Sequence, residues 1–181
     1  MVKQRTLLSI AIAVTLLQSP VYAQSDRKVT NINRGWLFRQ GESSSAITTE
    51  KAKAEGWKEV NLPHDFQIEQ PWVAPAADEK ANTSDAGANS KSRLSARGFK
   101  EMGSGWYVKA FTPSKEDKGK RVVIDFQGIM YLGDVYLNGK KIGGTDYGYV
   151  GFEIDITDKL RYGEENTIAV YSNTANPRDS R

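Results

Sequence analysis

The chain of 181 residues has room for one or two domains, and a single domain is more typical of this length. It contains no cysteine and one histidine, which excludes disulfides, thiolate metal sites, cysteine nucleophiles and a multi-histidine zinc site. Its 25 lysines and arginines are scattered among 22 acidic residues, so we expect no basic face for nucleic acid. Because phosphate-binding and acidic metal-binding loop motifs are also missing, we expect no cofactor and no metal.

The first 23 residues have the pattern of a secretory signal peptide. Lys3 and Arg5 form a basic start, residues 7–17 an apolar core, and residues 21–23 a small-residue cleavage site. The apolar stretch is too short to span a bilayer, which disfavours the alternative of an N-terminal membrane anchor. We therefore expect an exported protein, periplasmic or extracellular, without a membrane span after cleavage. Cleavage leaves 23 basic against 22 acidic residues and a polar leader at residues 24–32.

The first half of the mature chain predicts few regular elements. The stretch "NRGWLFRQG" at residues 33–41 predicts a short strand, and residues 49–54 a short helix. A second strand is expected at residues 57–62, where Pro63 ends it. Residues 73–98 are rich in Ala, Ser, Asn, Asp and Lys without hydrophobic periodicity, which predicts an unusually long loop.

From Gly103 onward the sequence predicts closely spaced strands. Asn138-Gly139 stands between two strand-like runs and is typical of a two-residue hairpin with a type I′ turn. Turn signals recur about every ten residues, which indicates an all-β sandwich over residues 33–176. We expect one apolar face to anchor this two-layer sandwich; its members are Val122, Ile124, Phe126, Val135, Leu137, Ile154, Ile168 and Val170.

The chemistry-bearing residues allow more than one interpretation. Asp125, Glu153 and Asp155 fall on the outward phase of strands, so we interpret them as solvated surface acids rather than a catalytic pair. His64 and Asp65 are either polar groups at a ligand site or side chains that bind the backbone of a turn after Pro63. Exposed aromatic side chains can stack on sugar rings, and the candidates are Trp72, Tyr147 and Tyr149; core packing or docking against a neighbouring domain is the alternative.

Six motifs in series resemble the N-terminal, sugar-binding domain of glycoside hydrolase family 2, which includes β-galactosidases, β-glucuronidases and β-mannosidases. The motifs are "GWLF", "NLPHDF", "GSGWYVKAF", "KGKRVVIDFQGIMYLGDVYLNGKKIGG", "GYVGFEIDITDKL" and "GEENTIAVYSNTANPRDSR". The resemblance implies a jelly-roll β-sandwich of the galactose-binding-domain type. In full-length members an immunoglobulin-like domain and a TIM barrel follow, and the barrel carries both catalytic glutamates.

The same resemblance implies which parts of this domain would contact the substrate. Family members use this domain to wall one side of the sugar pocket, at the loop before the hairpin and near the end of the domain. In this chain the first position is occupied by Met130, which weakens the galactose assignment, and the second region contains Asp179 and Arg181. These two side chains could accept from and donate to sugar hydroxyls, or belong to a solvated linker at residues 177–181 that leads to a missing downstream domain.

Three functions remain open on the sequence. The first is the non-catalytic N-terminal domain of an exported retaining β-glycosidase, β-galactosidase-like, that degrades carbohydrate and whose barrel is absent from this chain. The second is a free-standing carbohydrate-binding module, and the third a structural domain for oligomerisation. As a fragment of such an O-glycosyl hydrolase, this chain alone is expected to be inactive.

Overall fold

The computed structural model describes residues 27–73 and 100–174. The chain divides into two units, residues 1–31 and 32–181, and the described part of the first unit, residues 27–31, contains no helix or strand. In the second unit the strands are β1 (Trp36–Gln40), β2 (Lys58–Val60), β3 (Ser104–Phe111), β4 (Val123–Phe126), β5 (Leu132–Leu137), β6 (Lys140–Thr145), β7 (Phe152–Asp155) and β8 (Asn166–Asn173). One α-helix, α1 (Thr49–Ala54), and three short 3-10 helices, Phe66–Glu69, Lys115–Asp117 and Thr157–Lys159, complete the elements.

Two antiparallel sheets form the β-sandwich that the sequence predicts. The larger sheet has six strands in the order β2-β1-β3-β8-β5-β6, and the smaller sheet consists of β4 and β7. β3 and β8 pair over eight residues, from Ser104 opposite Asn173 to Phe111 opposite Asn166. The all-β sandwich architecture is thus confirmed.

The predicted apolar face is the core between the two sheets. Ile124 from β4 and Ile154 from β7 meet Val135, Ile168 and Val170 of the larger sheet in one buried cluster. Every member of the predicted face belongs to this cluster, either buried or partly buried. The period of two along these strands therefore identified part of the core, which also includes Phe66, Tyr107 and Ile156.

A second apolar cluster lies on the opposite, outer face of the six-stranded sheet, and the sequence interpretation did not foresee it. Leu37, Trp106 and Val108 project from β1 and β3 to this side, where α1 contacts both strands and Ala52 is fully buried. Thr48 caps the N-terminus of the helix, and its hydroxyl accepts the N–H of Lys51 at 3.3 Å. The prediction of a helix at residues 49–54 is confirmed, while its role as a third layer was missed.

The hairpin between β5 and β6 has the predicted turn. Asn138 and Gly139 have φ of 50° and 82°, as a type I′ turn requires. The Asn138 side chain also accepts hydrogen bonds from the Thr167 N–H at 3.0 Å and the Arg161 guanidinium at 2.9 Å. It donates to the carboxamide of fully buried Asn166 at 2.9 Å, so this residue joins the turn to the neighbouring strand.

The smaller sheet ends in a hydrogen-bonded acidic turn. Asp155 accepts from the hydroxyl of Thr157 at 2.6 Å and from its N–H at 3.0 Å, and pairs with Arg121 at 3.1 Å. The bonds from Thr157, followed by the Arg121 charge, lower the pKa of Asp155 to about 2. Asp125 and Glu153 are exposed on the same sheet, so the interpretation of these acids as surface groups is confirmed.

No helix within the described ranges is long and apolar enough to cross a membrane.

Replacement of Gly139 by Ala is expected to destabilise the protein by about 1 kcal/mol, because a residue with a Cβ is strained at this positive φ. The new methyl group would also stand 3.3 Å from Ala46 Cβ. Urea denaturation monitored by circular dichroism measures the change. Lys140→Ala, at the exposed neighbouring position, is the control; equal midpoints for Gly139→Ala and the wild type would contradict the assigned turn.

Asp155→Asn is expected to remove a stabilisation that depends on pH. Because the folded pKa is lower than the ordinary value of 3.8, this contribution is present above about pH 4 and is lost as the pH falls towards about 2. The difference in unfolding free energy between the wild type and Asp155→Asn should therefore shrink across that range. Asp125→Asn, on the neighbouring strand, is the control; a difference for Asp155→Asn that is independent of pH would argue against these contacts.

Candidate functional site

One end of the sandwich collects most of the segments that the sequence interpretation singled out. β1 ends here at Gln40, β6 at Thr145 and β8 at Asn173, whereas β3 and β5 begin here at Ser104 and Leu132. The strand register places these residues side by side, with Ser104 and Leu132 both opposite Asn173. We call this the exit end, because β8 leaves the sheet here.

Two loops of the exit end pack against each other. The first, residues 127–131, joins β4 to β5, and the second, residues 146–151, joins β6 to β7. A Cβ on Gly151 would lie 2.9 Å from the carbonyl oxygen of Phe126, so only glycine permits this approach. The Met130 carbonyl accepts from the Ser172 hydroxyl at 3.0 Å, and the Tyr131 N–H donates to the Asn173 carbonyl at 3.2 Å. The loop before the hairpin is thereby fixed to the end of β8.

The exit end carries most of the exposed apolar surface of the described residues. Of the seven large apolar side chains that are exposed, six lie on these loops or on the segment that leads to Trp72: Ile68, Trp72, Met130, Tyr147, Tyr149 and Val150. The rings of Tyr147 and Tyr149 meet edge to face at 5.7 Å. The three predicted stacking residues are thus accessible, while Tyr131, beside Met130, is buried.

Asp65 and His64 lie on the segment between β2 and the exit end. The Asp65 carboxylate accepts the N–H of Gln67 at 2.9 Å and caps the 3-10 helix Phe66–Glu69. For Asp65 the interpretation as a turn-binding side chain is confirmed. For His64 that interpretation is wrong, because its ring turns inward and contacts the Phe38 ring at 4.9 Å.

His64 belongs to a chain of polar contacts that ties three elements together. Its Nδ1 lies 2.9 Å from the Tyr107 hydroxyl of β3, and its Nε2 lies 3.8 Å from the Glu69 carboxylate. Glu69 in turn accepts from the Lys58 ammonium at 2.6 Å. Burial, together with the nearby charges of Asp65 and Glu69, raises the pKa of Tyr107, so its hydroxyl keeps its proton and can donate to Nδ1.

The Lys58 bond lowers the pKa of Glu69, which keeps that carboxylate charged. These contacts give both His64 and Asp65 structural partners. That either residue contacts a sugar stays a prediction.

Asp179, Arg181 and the long loop predicted at residues 73–98 lie outside the described residues, apart from Val73. The described residues next to these two segments nevertheless lie at the exit end. Thr174 donates its N–H to the Gly103 carbonyl at 2.8 Å and accepts the Gly103 N–H on its hydroxyl at 3.1 Å. Trp72 and Lys100, near the borders of the loop, pair through an isolated antiparallel bridge. The described residues that border the two segments, Trp72, Lys100 and Thr174, therefore lie at the exit end.

The described residues contain no group of three His, Cys, Asp or Glu side chains that could hold a metal ion. Asp146, Lys100 and Glu101 supply charged groups at the exit end, and its other chemical resources are aromatic rings, carboxamides, hydroxyls and backbone groups. Such groups bind and orient a neutral polar ligand by stacking and hydrogen bonding.

Comparison with known proteins gives consistent similarities. The chain is 32% identical over 157 residues to a β-galactosidase of Bacteroides ovatus, covering 87% of this chain and 17% of that protein. It is 31% identical to a β-glucuronidase of Formosa agariphila, covering 84% of this chain and 14% of the relative. A solved glycosyl hydrolase family 2 member from Bacteroides cellulosilyticus superimposes with a TM-score of 0.63 at 32% identity, over 83% of this chain and 18% of that one.

The chain thus spans only 14–17% of the length of these two relatives. The model of one protein family, described as the glycosyl hydrolase 2 galactose-binding domain-like family, matches residues 91–181, which is half of the chain. The jelly-roll sandwich, the motifs in series and this match lead to one conclusion: the chain belongs to the galactose-binding domain-like family of glycosyl hydrolase 2.

Proposed function

We propose that this chain is the N-terminal, non-catalytic domain of an exported, retaining β-glycosidase of the β-galactosidase type. The relatives that it matches are named β-galactosidase and β-glucuronidase, and it covers a small part of each. In this proposal the catalytic carboxylates belong to a barrel outside this chain. One of them forms a covalent glycosyl-enzyme, which water then hydrolyses with retention of configuration.

The observation that carries the proposal is the concentration of exposed apolar side chains at the exit end. Exposed apolar side chains concentrated at one end of a domain indicate a place where another surface or a ligand is bound. Thr174, the last described residue before Asp179 and Arg181 in the sequence, also lies at the exit end. We infer that this end faces the remaining domains of the enzyme, an immunoglobulin-like domain and the barrel, and forms one wall of the sugar pocket.

Export is part of the same proposal. It rests on the sequence of residues 1–23, whose basic start, short apolar core and small-residue cleavage site are typical of secretory signal peptides.

The purified chain is expected to show no hydrolysis of aryl β-galactosides or aryl β-glucuronides, because retaining hydrolysis needs two carboxyl groups about 5–5.5 Å apart across the scissile bond. Release of the aryl alcohol is the measurement. The protein encoded by the complete reading frame of the gene is the positive control, and it should give a product of retained configuration by NMR. Turnover by the chain of 181 residues alone would overturn the proposal.

Within the full-length enzyme, Asp179→Asn and Arg181→Ala are each expected to lower kcat/KM by about tenfold or more, since each removes a charged hydrogen-bonding partner of a sugar hydroxyl. Steady-state kinetics on an aryl β-glycoside measure the loss. Lys118→Ala, an exposed substitution on the connection from β3 to β4 at the opposite end of the sandwich, is the matched control. Unchanged kcat/KM in both variants would assign residues 177–181 to a solvated linker.

A further inference from the structure

Trp72 differs from the other tryptophans of the chain in its exposure. Trp36, Trp57 and Trp106 are buried in the two clusters, with 2%, 6% and 6% of their surface exposed. Trp72 has 72% of its surface exposed, although burial of an indole ring is strongly favourable. An exposed indole ring at the exit end therefore indicates a place where a ligand or a partner binds.

The backbone before Trp72 is fixed by a buried carboxamide. Gln70 and Gln40 form a reciprocal pair, in which each amide donates to the other's carbonyl oxygen, at 2.5 and 2.9 Å. The Gln70 amide also donates to the Phe66 carbonyl at 3.0 Å. Because Gln40 ends β1, these bonds attach the segment before Trp72 directly to the six-stranded sheet.

The ring of Trp72 itself is held from one side by Lys100. The Lys100 ammonium lies 4.0 Å from the ring centroid and donates to the Gln70 carbonyl at 2.9 Å. The backbone bridge between Trp72 and Lys100 and a bond from the Glu101 N–H to the Pro71 carbonyl, at 3.1 Å, fix both sides of the contact. One face of the indole is therefore covered by a cation, and the exposed fraction of the side chain leaves the other face accessible.

We propose that the open face of Trp72 is a stacking platform for a pyranose ring of a β-linked oligosaccharide. An aromatic ring that is already immobilised loses little conformational entropy on binding, which is the advantage of a preorganised site. The apolar C–H face of a sugar suits a flat indole, while its hydroxyls remain in water. Because Lys100 occupies the opposite face, its charge does not meet the sugar directly, and the platform accepts neutral saccharides.

The inference rests on the proposed function, since it names a residue by which this domain contacts carbohydrate. The inference goes beyond the proposed function because it assigns a carbohydrate contact to Trp72, in addition to the contacts predicted for Asp179 and Arg181. The Tyr147–Tyr149 pair, by contrast, has no comparable anchor among the described residues, where the Thr145 hydroxyl bonds only to the backbone of Tyr147.

Tryptophan fluorescence of the chain tests the platform, because Trp72 is its one exposed tryptophan. A β-linked galacto-oligosaccharide is expected to change the emission saturably, and calorimetry gives its Kd. Trp72→Ala should weaken binding by about tenfold or more, and Trp72→Phe should restore part of it. Lys100→Met should weaken binding about two- to fivefold by releasing the ring, and Lys118→Ala is the control that should bind as the wild type.

Circular dichroism of each variant separates loss of binding from loss of folding. Absence of a saturable change at millimolar oligosaccharide, or equal Kd for the wild type and a folded Trp72→Ala, would overturn the platform. The proposed function has a separate readout, which is hydrolysis by the full-length enzyme. If the platform test fails but the full-length enzyme hydrolyses a β-glycoside, the proposed function is still supported. If the full-length protein hydrolyses no β-glycoside while the chain binds sugar through Trp72, the proposed function fails and the platform is supported.

Discussion

The pairing of β3 with β8 is the contact on which the rest of the structure depends. These eight-residue strands are the two central strands of the larger sheet, and each is buried on both faces. Val108 and Ile168, on opposite sides of the sheet, are fully buried. β1 and β2 extend the sheet beyond β3, and β5 and β6 extend it beyond β8. This pairing joins strands that are far apart in the sequence, so it carries a large entropic cost of loop closure. Burial of apolar side chains in the two clusters offsets that cost.

The same register creates two ends with different surfaces. At the hairpin end, carboxamides and a guanidinium close a polar network around Asn138 and buried Asn166. At the exit end, glycines allow two loops to approach each other, and apolar side chains remain exposed. This asymmetry supports the proposal that the domain contacts other surfaces at its exit end, whereas the hairpin end is polar.

Several polar residues that are candidates for chemistry have structural partners in the fold. His64 meets the Tyr107 hydroxyl, Asp65 caps a 3-10 helix, and Asp155 holds a turn. The reason is general: a polar group taken out of water costs free energy unless it finds a hydrogen-bond partner. Sequence alone cannot distinguish such a residue from a ligand-binding one, because the partner, here Tyr107, is far away along the chain.

The sequence by itself determined the local geometry and the inner core. The type I′ turn follows from Asn138-Gly139, the helix at residues 49–54 from its composition, and the core from the alternation of Ile124, Ile154 and Ile168, since each depends on neighbours within a few residues. Only the tertiary structure decided that α1 covers the outer face and that His64 turns inward. It also decided that the Lys100 ammonium contacts the Trp72 ring while it donates to the Gln70 carbonyl. Those outcomes depend on contacts between residues that the pairing of distant strands brings together, and a pattern of a few residues does not specify which distant segments pair.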